Sequence, residues 1–110
     1  MKRFLMLIGL VLFVPLTIYA GQIYGNLRDP SGQPIQEKIT VEIKCGVKVF
    51  TGQTDAYGSY RVYAAEKGRC TFKVVYQGQD ASFDVYSYDD PVRYDFDLVS
   101  EKGRYTLRRR

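Results

Sequence analysis

The sequence predicts an all-β domain, a sandwich or barrel of seven short strands, behind an N-terminal export segment. Three observations carry that expectation. Beyond residue 20, apolar residues recur at every second position, and nowhere do they repeat at helical spacing for three turns. Turn-forming residues interrupt the chain about every ten residues, the spacing found in sandwiches and barrels. Ten tyrosines, one of them in the export segment, stand among many valines and supply the side chains that strands favour.

Residues 1–20 stand apart from the rest. Lys2 and Arg3 precede an almost wholly apolar run from Phe4 to Ile18, broken by Pro15, and Ala20 puts a small residue before Gly21. This is the layout of a secretory signal peptide, although Ile18 sits where a small residue is preferred. An uncleaved membrane anchor is the competing reading, but a spanning helix wants roughly 20 apolar residues and this proline-interrupted run barely reaches that. Cleavage leaves a chain of about 90 residues, enough to fold alone with a thin margin of burial.

Strands are expected near 21–28, 39–45, 47–54, 59–65, 70–76, 80–87 and 92–99, with a loop over 30–38. The alternation is clearest in Ile39, Val41, Ile43 and Cys45, in Cys70, Phe72, Val74 and Tyr76, and in Tyr94, Phe96 and Leu98. Each set offers one face to a core and one to water, as antiparallel strands do. Asp29-Pro30-Ser31-Gly32 has the residues of a type I turn, and Asp55-Ala56-Tyr57-Gly58 repeats its Asp and Gly placement. Both aspartates are expected to bond their own turn backbone. Tyr60, at the head of an alternating strand, is expected in the core. The domain is placed at residues 21–100, and residues 101–110 are read as a basic tail, with a short strand at Arg104 to Leu107 or a fold-back onto the aspartates between Asp80 and Asp97 as the alternatives.

The stretch Gly21 to Asp29, followed by Gly32-Gln33-Pro34-Ile35, resembles the opening of a carboxypeptidase regulatory-like domain. Thr54-Asp55-Ala56-Tyr57-Gly58-Ser59-Tyr60 is similar to the family's second signature, and Gly68 with Cys70, Phe72 and Val74 to its third. Glu37 and Lys38 depart from the small residues usual there, and Gln79 from an aromatic. The resemblance implies a seven-stranded Greek-key sandwich of the prealbumin, or transthyretin-like, type and a non-catalytic role beside another activity. It also implies that the second and fifth strands are antiparallel neighbours, which would bring the end of one, Cys45, to the start of the other, Cys70. Two cysteines in an exported chain usually pair, so a disulfide is expected.

The chain has no histidine, which removes the usual general base and the commonest metal ligand. By resemblance, hydroxyisourate hydrolases and intradiol dioxygenases of this fold rely on histidines. The expectation is therefore no enzyme, no cofactor and no metal. Asp84, Asp89, Asp90 and Asp95 could in principle gather around calcium, but Asp95 and Asp97 alternate with core residues and so point to water. Lys2 and Arg3 supply two of the four net positive charges, so the chain from Gly21 carries +2. That is too little to argue for nucleic acid, and a membrane partner follows only if the first segment stays uncleaved.

What remains points to binding. Tyr63, Tyr86 and Tyr88 lie on the outward side of their strands, and Tyr24 and Tyr57 are further candidates. Tyrosine joins a large apolar body to a polar tip and suits protein or sugar surfaces. Arg108, Arg109 and Arg110 form a run of like charge, read as a mobile end that reaches an anionic partner. The function expected is an exported module, periplasmic or secreted, that binds or helps assemble another envelope or secreted protein. A carbohydrate- or envelope-binding module is the alternative.

Overall fold

A computed structural model describes residues 21–110, so the expected export segment lies outside the described residues. The strands are β1 (Gln22–Arg28), β2 (Thr40–Cys45), β3 (Lys48–Gln53), β4 (Ser59–Tyr63), β5 (Gly68–Tyr76), β6 (Gln79–Ser87), β7 (Val92–Arg93), β8 (Phe96–Glu101) and β9 (Arg104–Arg109). They form two facing sheets. One runs β4-β1-β8-β9, with β7 also pairing β1, and the other runs β3-β2-β5-β6. The all-β sandwich is as the sequence predicts. It departs in two respects: there are nine described strands rather than seven, and β1 pairs β7 and β8 in parallel while the other pairs are antiparallel.

The alternating apolar residues fill the space between the sheets. Phe72 and Phe96 are fully buried, with ring centroids 4.6 Å apart. Tyr60 meets Phe72 edge-on at 5.1 Å, and Ile23, Leu27, Val41, Ile43, Val62 and Val85 complete the centre. Buried Thr54 is satisfied because its hydroxyl accepts from Ile39 N–H at 2.9 Å and donates to Glu37 C=O at 3.1 Å.

The strand expected over 92–99 is split at Tyr94 and Asp95. Tyr94 C=O turns inward to accept the buried Tyr60 hydroxyl at 2.6 Å. Only a glycine opposite permits this, since a Cβ on Gly25 would lie 1.8 Å from that oxygen. Asp95 then fills the gap in the ladder, its carboxylate accepting Asn26 N–H at 2.9 Å.

The expected mobile tail is corrected more strongly: residues 104–109 are an edge strand paired along β8 from Glu101↔Arg104 to Phe96↔Arg109. Lys102 and Gly103 both have positive φ, 52° and 80°, the backbone of a two-residue type I′ hairpin turn. The arginine run does not repel itself, because successive side chains on a strand point to opposite faces. Arg108 goes outward to Asp97, Arg109 lies with its guanidinium 4.1 Å from the Tyr94 ring centroid, and Arg110 returns to Asp97 and Asn26.

Candidate binding surfaces

The residues singled out in the sequence fall at three places. Tyr86 and Tyr88 come together on the outer side of β6 and just beyond its end, rings near parallel at 20° with centroids 6.5 Å apart. They are 44% and 51% exposed. Beside them Arg69, the cross-strand partner of Tyr86, binds Asp84 at 2.6 Å. Burial of the strand's other face fixes this presentation: Phe83, Val85 and Ser87 turn inward, so Asp84, Tyr86 and Tyr88 must turn out. Tyr94 strengthens it, since its hydroxyl accepts Tyr86 N–H at 2.9 Å from the opposite sheet. Tyr63, half exposed, lies instead on the outer face of β4 and does not join the pair.

The second place is the outer face of the β4-β1-β8-β9 sheet. Asp97 is shared there by Arg110 Nε at 2.8 Å, Arg28 Nε at 3.4 Å and Arg108 at 3.6 Å. Further along β1, Tyr24 lies between Arg61 and Arg93, whose guanidinium carbons are 5.6 and 5.8 Å from its ring centroid. Arg93 Nε also binds both oxygens of Asp95, at 2.8 and 3.0 Å. Two of the three expected arginines, Arg108 and Arg110, belong to this surface and Arg109 does not. Arg28, Arg61, Arg93 and Tyr24 were not grouped with them by the sequence. Their outward positions follow from strand alternation, but their nearness depends on the sheet order.

The third place is the pair Cys45 and Cys70, which are disulfide-bonded with Cα atoms 4.4 Å apart. They bridge β2 and β5, which pair antiparallel.

The turn aspartates act locally. Asp29 accepts Ser31 N–H, the Ser31 hydroxyl and Gln33 N–H, and the Ser31 hydroxyl in particular holds its carboxyl below the ordinary value. Asp55 likewise accepts Tyr57 and Ser59 N–H groups. The aspartates considered for calcium do not converge. Asp84 pairs with Arg69, Asp89 with Lys67 and Asp95 with Arg93, and no group of three metal-ligating side chains forms among the described residues. Burial, with a smaller push from Asp95, raises the Tyr60 phenol far above its usual pKa, so it stays a hydrogen-bond donor.

This architecture places the chain in the transthyretin-like, or prealbumin-like, fold group. Among solved structures it is similar to the 5-hydroxyisourate hydrolase of Klebsiella pneumoniae, with a TM-score of 0.57 and 16% identity over 86% of this chain and 99% of that one. No protein-family model and no curated protein matches the sequence. The structural likeness supports the fold group without selecting the carboxypeptidase regulatory-like family within it. It also corrects one expectation. The missing histidines and the structural roles of the motifs pointed away from an enzyme, yet a protein of the same fold is a hydrolase, so that exclusion does not stand.

Proposed function

We propose that this chain is an exported binding module that docks onto another exported protein through the outer face of β6, with Tyr86 and Tyr88 as the contact residues. The observation that carries this reading is the parallel tyrosine pair, held half exposed by a strand whose opposite face is buried. Tyrosine is enriched at the centres of protein interfaces, because it covers a large area at low entropic cost and keeps a polar tip. Export is supported by the disulfide, a bond that persists in oxidising compartments. The resemblance of the 21–35, 54–60 and 68–74 stretches to carboxypeptidase regulatory-like domains lends further support, as such domains sit beside another activity.

The test compares the parent protein with Y86A/Y88A in cross-linking capture from an extract of exported proteins, followed by direct titration against the purified captured partner. Truncating an interfacial anchor pair is expected to weaken that titration about thirty-fold or more, the equivalent of about 2 kcal/mol. The melting temperature should stay within a few degrees, as for other exposed substitutions. An unchanged affinity sinks the proposal. A glycan array on which binding is lost in Y86A/Y88A, with no protein captured, would assign the pair to a sugar instead.

A further inference from the structure

We infer that the outer face of the β4-β1-β8-β9 sheet is a second binding surface, and that its ligand is a linear acidic polysaccharide bearing carboxylate or sulfate groups. The face carries Arg28, Arg61, Arg93, Arg104, Arg108 and Arg110 against Asp95, Asp97 and Glu101. The outer face of the β3-β2-β5-β6 sheet is balanced by contrast, with Lys44, Arg69 and Lys73 against Glu42, Asp80 and Asp84. The small net charge of the domain is therefore concentrated on one side.

That charge is not used up internally. One carboxylate, Asp97, faces three guanidiniums, and each guanidinium presents five N–H donors in a planar fork. Arg110 spends further donors on Asn26 and on Phe96 C=O, whereas Asp97 is the sole polar partner of Arg28 and Arg108 among the described residues. Such a fork binds carboxylate and sulfate-type oxygens in pairs. Arg61 has the Tyr24 ring beside it and, among the described residues, no carboxylate in ion-pair contact.

The arrangement calls for a ligand with repeated charges. Tyr24 and Arg28 are four residues apart on one strand, so the Arg61–Tyr24–Arg93 group lies about 13 Å from the group around Asp97. A single small anion cannot satisfy both. The exposed aliphatic side chains Val47, Val49 and Val75 belong to the other sheet and its hairpin, and the aliphatic residue of this face, Val99, is only partly exposed, so this face offers little to enter a bilayer. It offers instead the exposed ring of Tyr63, on the same strand face as Arg61, on which a sugar can stack.

The experiment measures binding to polygalacturonate and to heparin, with dextran as the neutral control, across a salt series. Anionic phosphatidylglycerol vesicles and a DNA duplex are the competing arms. The variant R61Q/R108Q removes one exposed arginine from each group. It should bind at least about tenfold more weakly and reduce the dependence of log K on log salt by about two contacts. Its melting temperature checks the fold, and R61Q and R108Q alone carry the test if the pair unfolds. Y86A/Y88A should bind the polysaccharide normally, which separates this surface from the tyrosine pair. Equal binding by parent and R61Q/R108Q overturns the inference, as does no retention on either acidic polymer at low salt, or binding confined to vesicles or DNA.

Discussion

Leu107 and Thr106 are adjacent on β9 but face opposite ways, and replacing each by alanine measures whether this strand belongs to the core. Leu107 is 7% exposed and pairs with Leu98 inside the sandwich, while Thr106 is exposed and pairs with Val99 on the outer face. A buried Leu→Ala change costs about 2 to 5 kcal/mol, and a site near the rim can relax, so the lower end, about 2 to 3 kcal/mol, applies. In a domain of this size each kcal/mol moves the midpoint by about 4 to 8 °C, which gives L107A a fall of roughly 10 to 20 °C. T106A removes no core contact and should stay within about 0.5 kcal/mol of the parent. Circular dichroism melts of the three proteins under one buffer suffice. A fall of less than about 3 °C in L107A, or equal falls in both variants, would refute the packing of β9 against the core.

Two further outcomes follow from the structure. Replacing both cysteines in C45A/C70A releases a loop with a sequence separation of 25, worth about 3.5 kcal/mol in the chain-entropy model. Its melting point should fall by more than about 10 °C, and a shift of only two or three degrees would argue against the bond. For Tyr60 the folded pKa is raised above the unfolded value of about 10. Its contribution is therefore full below about pH 10 and is lost as pH rises beyond that. In urea titrations from pH 8 to pH 11.5, Y60F should be weaker at pH 8 by about 1 kcal/mol, having lost the bond to Tyr94. Its stability should then decline less steeply above pH 10, and parallel decline in both proteins contradicts the assignment.

The sandwich was legible because burial of one strand face is written locally. Ile39, Val41 and Ile43 alternate, and so do Cys70, Phe72 and Val74. The two turn aspartates were legible for the same reason, since each bonds within four residues of itself. The break at Tyr94 was not, because Tyr94, Phe96 and Leu98 alternate without a flaw and the cause is Tyr60, 34 residues away, acting past Gly25. Strand β9 was legible only as a short strand over Arg104 to Leu107, its continuation hidden by charge. Arg108 to Arg110 look self-repelling until Asp97, Tyr94 and Asn26 are known to be near, and Asn26 is 84 residues from Arg110. Of the candidate surfaces, Tyr86 and Tyr88 could be paired from strand period alone. The arginine face could not, since Arg28, Arg93 and Arg108 meet only through the order of β1, β7, β8 and β9.

The hydroxyl of Tyr94 has a consequence for how copies of this chain meet one another. A strand at the margin of a sheet displays unpaired N–H and C=O groups on which another chain can build. Here the N–H of Tyr86 on β6 is taken by Tyr94. At the other end of the same margin, the Gln79 side chain donates to Gly103 C=O and accepts Tyr105 N–H, so it occupies β9 as well. A foreign strand arriving at this flank would have to displace those groups before it could pair. The flank is therefore hindered at both ends as a template for aggregation.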